Sequence, residues 1–260
     1  MKKKQMAEKL KASIYYLVLL SFLIPIGFLV YRIIMLDGTE RAAGFHSRAD
    51  YVLMLVQCVL GLIVIHIPSV LARRLRFEIP GFLYTMYIIF LYCGIFLGEV
   101  TSFFYVVPHW DDFLHAFSSM MTGFFAVMVI TILNRDDNLV FRISPFFVAL
   151  FAFTFSIAIG ALWEVYEFAG DGLLGMNMQK FITADGTVLI GHAAISDTMK
   201  DVIVDMIGAL ISSIIGYFSV KHSRKWLIPA LAKDADEETH GASPETAPET
   251  KQKAAYASDP

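Results

Sequence analysis

Apolar residues in this chain fall in long unbroken blocks separated by short polar stretches. The blocks cover about residues 14–35, 51–72, 79–103, 112–134, 144–168 and 197–220. Each is close to the roughly 20 residues that a helix needs to cross the hydrocarbon core of a bilayer. They are continuous rather than alternating, which predicts helices and not barrel strands. The expected fold is therefore all-α, a polytopic transmembrane bundle of about six helices. Pro25 and Pro68 are expected to kink the first two. The first block is too long for a signal-peptide core and no Ala-x-Ala site follows it, so it reads as an uncleaved helix.

The blocks divide the chain into a basic N-terminus (1–12), a transmembrane domain (13–220) and an acidic tail (221–260). The tail carries Pro-Glu-Thr twice and no apolar periodicity, which predicts disorder. Composition agrees with the block pattern. Hydrophobic residues make up 57% and charged residues 17%, against roughly 25% charge in a soluble domain. The net charge of -3 comes largely from the tail. Cys58 and Cys93 both lie inside apolar blocks, so no disulfide framework is expected.

Basic residues orient the helices. The N-terminal lysines, Arg73, Arg74 and Arg76, Arg135 and Arg142, and Lys221, Arg224 and Lys225 all fall on one side. Only Arg41, Arg48 and Lys180 fall on the other. The positive-inside rule then places both termini in the cytoplasm. The longest external loop, Asp171 to Ser196, contains Asp185-Gly186 between apolar and β-branched residues, a hairpin signal. It reads either as a small cap over the outer face or as an ordinary connecting loop. Trp110 and Trp163 read as interfacial anchors.

Against this background the ionisable residues are unevenly placed. Glu99 closes the third block, and Asp111, Asp112 and His115 open the fourth. Glu164 and Glu167 close the fifth, and Asp197, Lys200, Asp201 and Asp205 open the sixth. Alternating helix direction puts all of them in the outer half of the membrane. Glu164 is expected roughly 6 Å below the outer end of its helix and Asp205 roughly 12 Å. His66, near the inner end of the second block, is expected to be an ordinary satisfied histidine.

Four-residue spacing adds direction. Asp111, His115, Ser119 and Gly123 share one helix face. So do Ala152, Ser156, Gly160 and Glu164, and so do Asp197, Asp201, Asp205, Ala209 and Ser213. Each acidic stripe runs on into small residues, the surface by which membrane helices approach closely. The carboxylates are therefore expected to face the bundle interior. An ionised Asp at the membrane centre costs roughly 2.5–3.5 kcal/mol on insertion scales. Shared protons, a water-filled vestibule or a bound cation would relieve that cost. A divalent ion such as Mg²⁺, Mn²⁺ or Zn²⁺ suits oxygen ligands with one imidazole. The candidate ligands are Asp111, His115, Glu164, Glu167, Asp201 and Asp205, with Glu99, Asp112, Asp197 and Lys200 completing the polar pocket.

Trp110-Asp111-Asp112-Phe113-Leu114-His115, Trp163-Glu164-Val165-Tyr166-Glu167, Asp197-Thr198-Met199-Lys200-Asp201 and Gly208-Ala209 resemble the signature of the YjdF-type bacterial inner-membrane proteins. Gly98-Glu99 ahead of Pro108-His109-Trp110 fits the same pattern, and the likeness covers roughly residues 80–220. It implies a bacterial cytoplasmic membrane and no particular activity. The paired motifs also follow the order and spacing of VanZ-like proteins, which are linked to glycopeptide resistance. Those proteins usually have Gln and Asn where this chain has Glu167 and Asp205.

The leading expectation is a metal-dependent step on envelope lipid or a lipid-linked substrate, with His115, Glu164 and Glu167 as catalytic candidates. The alternatives are a proton- or cation-coupled transporter, and a non-catalytic scaffold whose acids are polar glue. Membrane lipid is the expected partner. The chain has no Gly-rich phosphate loop, His-Glu-x-x-His or Gly-x-Ser-x-Gly, and its basic residues suggest no nucleic-acid surface.

Overall fold

A helix satisfies its backbone polar groups internally, so long apolar blocks fold as helices when lipid offers no hydrogen bonds. The computed structural model describes residues 2–35, 48–75, 79–134, 143–183 and 186–222. The acidic tail expected from 221 onward lies almost wholly outside these residues, as do Arg41, Arg76, Arg135, Arg142 and Asp185. Helix α1 runs Lys2–Met35, α2 Arg48–Val64, α3 Ile67–Leu75 and α4 Gly81–Leu91. A π-helical segment, Tyr92–Val100, continues α4. The short α5 (Phe103–Val106) leads into α6 (Trp110–Leu133), then α7 (Pro145–Leu174) and α8 (Ser196–Lys221). Among the described residues, 6 helical stretches are long and apolar enough to cross a membrane. The chain is an all-α bundle, as its block pattern predicts.

Differences from the expected boundaries have local causes. The second block is broken at Ile65–His66, between α2 and α3. Pro68 explains the break, because it lacks an N–H and crowds the carbonyl one turn earlier. Pro25 lies within the continuous α1. The exposed His66 sits at the break, with its ring 6.2 Å from that of Tyr15. The third block ends in a π-helix, whose wider turn leaves carbonyls without the usual partner. The Trp110 indole N–H donates to one of them, the Cys93 carbonyl, at 3.3 Å. Ser102 and His109 then adopt left-handed backbone, at φ 63° and 60°, and turn the chain into α6.

Helix α7 runs past its expected end at residue 168 and reaches Leu174. Ser144 caps its start by accepting from the Phe147 N–H, with Pro145 in the first turn. Gly175, at φ 66°, closes it in the left-handed conformation that suits glycine. The extension places Glu164 further from the end of its helix than the block suggested. It lies about 15 Å from the end of its helix, and Asp205 about 14 Å down α8 from Ser196, at 1.5 Å per residue.

Helices α6, α7 and α8 pack on one another through the small-residue stripes. A β-carbon added at Gly208 would meet the Ala116 carbonyl oxygen at 2.7 Å, and one at Gly123 would meet the Ser212 Cβ at 2.9 Å. At Gly160 it would lie 2.9 Å from the Asp205 carboxyl carbon. Ser156 ties two of these helices, donating to the Ser119 carbonyl at 2.7 Å and pairing with the Thr122 hydroxyl at 2.9 Å. Helices α1, α2 and α4 form a second packing group around Val18, Phe22, Ile65 and Ile88. Cys58 and Cys93 are buried and unpaired.

Gly208→Ala should lower stability in detergent by about 1–3 kcal/mol, the usual cost of overpacking a filled core. Gly27 has open space around it, so Gly27→Ala should leave stability unchanged or raise it by roughly 0.5–1 kcal/mol. Thermal melts of the two variants beside the parent measure both.

Candidate functional site

His115 is the hub of the end of the bundle where α6 and α8 begin and α7 ends. Its position on α6 aims the ring at α8 and α7. Its Nδ1 lies 3.3 Å from Asp205 Oδ2 of α8. Its Nε2 lies 3.9 Å from Glu164 Oε1 of α7 and 4.0 Å from Asp111 Oδ1, one turn back on α6. The three acidic stripes therefore meet around one imidazole, and the space between these side chains is termed the chamber. His115, Glu164, Glu167, Asp201 and Asp205 are all buried.

The carboxylates differ in how they are satisfied. Asp201 is 1% exposed, and neither of its oxygens has a hydrogen-bond partner. Asp205 Oδ1 is likewise unpartnered. Glu164 faces the Thr198 hydroxyl, but neither of its oxygens makes a well-formed hydrogen bond. Glu167 accepts from the Trp163 indole N–H at 2.9 Å. Asp111 and Asp197 lie in the first turns of α6 and α8, where the helix dipole favours negative charge. Asp201 and Asp205 lie too deep in α8 for that help.

Donor atoms of Asp111, His115 and Asp201 all lie within 4.8 Å of one another. A Zn-like ion with bonds of about 2.0–2.2 Å spans donors up to roughly 4.4 Å apart. Sub-ångström side-chain adjustment would close such a site, so these residues are placed to hold a metal ion.

Other expected pocket residues stand apart. Asp112 turns outward and pairs with His109 Nδ1 at 2.7 Å. Lys200 is exposed. Glu99 accepts from Gln57 Nε2 at 3.2 Å, across to α2. These three do not join the group around His115.

A cation absent from the expected set does. Lys180 Nζ contacts Asp111 Oδ2 directly and lies 3.4 Å from Asp197 Oδ2. Burial lowers its pKa, but Asp111, Asp197 and Asp201 outweigh that and hold the ammonium above the ordinary lysine value. Lys180 comes from the loop after α7, with backbone in the left-handed region at φ 50°. Asp171 fixes that loop by accepting from the N–H groups of Met178 (2.7 Å) and Gln179 (3.0 Å). Gln179 reaches the Thr198 hydroxyl of α8 at 2.9 Å. A minimal hairpin follows, with Ile182 bridged to Val188 and Gly186 at φ 85°. The sequence signal for Lys180 was available: it is the lone Lys or Arg between residues 143 and 199.

The chain belongs to the family described as "Predicted membrane protein (DUF2238)", whose model matches residues 16–222. That membership is consistent with the YjdF-type resemblance. The chain is also similar to an uncharacterised protein of Thermotoga maritima, 30% identical over 113 residues. The match covers 43% of this chain and 50% of that protein, so the chain spans about half the length of this curated relative. No solved structure matches the chain. The likeness to VanZ-like proteins has no counterpart among these matches.

Asp171→Ala should free the Met178 and Gln179 amides and loosen the loop by about 1–3 kcal/mol. Hydrogen exchange should then quicken across residues 176–183 while α6 and α8 keep their protection.

Proposed function

We propose that this DUF2238 family member holds a divalent cation between Asp111, His115 and Asp201 and uses it in a hydrolytic or phosphoryl-transfer step on a lipid-linked substrate. The observation that carries this reading is Asp201, 1% exposed with both oxygens unpartnered beside His115. Leaving an ionised carboxylate in that condition costs several kcal/mol on general grounds. A bound cation removes the cost, and among the described residues no hydrogen-bond donor reaches either oxygen.

When bound, a divalent ion would activate water and polarise a phosphoryl oxygen. Glu164 is the best-placed general base. Its Oε1 is 3.9 Å from His115 Nε2, and its oxygens are not committed to strong hydrogen bonds. Glu167 is committed to Trp163, which suits it to shaping the chamber rather than to taking a proton. Asp205 accepts from or pairs with His115 Nδ1. It thereby orients the ring and presents Nε2 to the chamber, as outer partners of metal-binding histidines do. The distribution of basic residues supports an orientation with both termini cytoplasmic and the chamber on the extracytoplasmic side. In a bacterial cytoplasmic membrane that side faces envelope lipids and their precursors.

Protein purified without chelator should carry about one divalent ion per chain by elemental analysis, the stoichiometry of a single site. Asp201→Asn should lose it. At about 100 times the dissociation constant, added Mn²⁺ should stabilise the parent by roughly 2.7 kcal/mol and leave the variant unmoved. The polar-glue alternative predicts the reverse: no ion in the parent, and an Asp201→Asn variant that melts earlier than the parent under chelator.

A further inference from the structure

The Asp111 carboxylate has two faces with two different claimants. Its Oδ1 looks at His115 Nε2, at 4.0 Å, and the residue belongs to the group close enough to hold a metal. Its Oδ2 carries the Lys180 ammonium. A divalent ion on one oxygen and an ammonium on the other would lie a few ångströms apart in a chamber walled by apolar helices. Like charges at that range repel strongly in such surroundings. Asp197 is the one other carboxylate that Lys180 reaches by an ion pair among the described residues, at 3.4 Å. The Lys180 side chain is 39% exposed, so it stands at the mouth of the chamber with a path to solvent. Asp201 supplies the independent sign that a ligand belongs below it, with both oxygens unpartnered at 1% exposure.

We propose that Lys180 is a tethered counter-cation that competes with the divalent ion for Asp111, so that metal binding displaces the lysine and releases its stretch of loop. This rests on the cation reading above. Lys180 then sets the affinity of the site, and occupancy is reported on the outer surface by the state of the loop. The tether is short: Asp171 and Thr198 still hold the chain up to Gln179, so the release begins at Lys180. The released side chain therefore stays at the mouth, where it would meet the anionic group of an incoming lipid-linked substrate.

Trypsin reads the displacement directly, because Lys180 is the lone trypsin site between residues 143 and 199 and Phe181 follows it. The full-length protein in detergent is titrated with Mn²⁺, and cleavage after Lys180 is followed by mass spectrometry alongside Mn²⁺ binding. Protection at Lys180 should fall over the same concentration range in which Mn²⁺ binds. An Asp111→Asn, Asp197→Asn double variant should be cut there without added ion. Lys180→Met should tighten Mn²⁺ binding by about ten-fold or more, the scale of removing a like charge a few ångströms away. Lys200→Met, which removes an exposed charge on α8, should change it far less. Mn²⁺ binding with Lys180 still protected would overturn the competition and leave the cation reading standing. Equal tightening by Lys180→Met and Lys200→Met would do the same, since it would mark a general charge effect. Absence of Mn²⁺ binding in both the parent and Lys180→Met would overturn the cation reading itself, and this inference with it.

Discussion

A carboxylate inside a membrane protein must be matched by positive charge, by hydrogen bonds, by a proton or by water, and the rest of this molecule is arranged around that requirement. Asp111, Glu164, Asp201 and Asp205 converge on a single imidazole, His115, at one end of the bundle. One histidine and one lysine cannot satisfy four acids. Asp201 shows the shortfall most clearly, since it is buried and unpartnered. That shortfall is the physical basis for proposing a bound cation.

The packing that creates the shortfall is also what makes the chamber specific. Glycine at 160 lets the Asp205 carboxylate lie against the α7 backbone, and glycine at 208 lets α8 approach the Ala116 carbonyl of α6. Larger residues would hold the helices apart and let solvent or lipid in. Below the acids, the Thr122 and Ser156 hydroxyls pair, Ser156 donates to the Ser119 carbonyl, and the Ser119 hydroxyl donates to the Ala116 carbonyl. The hydroxyls there are therefore structural. The acids above them have no such closed network, and that contrast separates glue from candidate site within one interface.

Much of this was legible in the chain. Block length gave the number of crossing helices, and four-residue spacing put Asp111, His115, Asp201 and Asp205 on inward faces. Depth was less legible. Helix α7 continues to Leu174 because Asp171 turns its side chain to the loop amides and Gly175 supplies the stop; apolar block length registers neither effect. Asp112 and Lys200 shared a segment with the site but face outward, since residues one position from an inward-facing neighbour point about 100° away from it on a helix. Lys180 was missed because its role depends on how a loop folds back, and loop path has no periodicity to read. The π-helical end of the third span was equally hidden, its consequence being the carbonyl that Trp110 takes up.

The central claim is that His115 and its acidic neighbours ligate one cation. Pulsed electron paramagnetic resonance of Mn²⁺ bound to protein labelled with ¹⁵N-histidine tests it most directly. The account predicts a coupling from one imidazole nitrogen that disappears in His115→Gln. Bound Mn²⁺ that shows oxygen and water couplings alone, or a nitrogen coupling that survives His115→Gln, would contradict it.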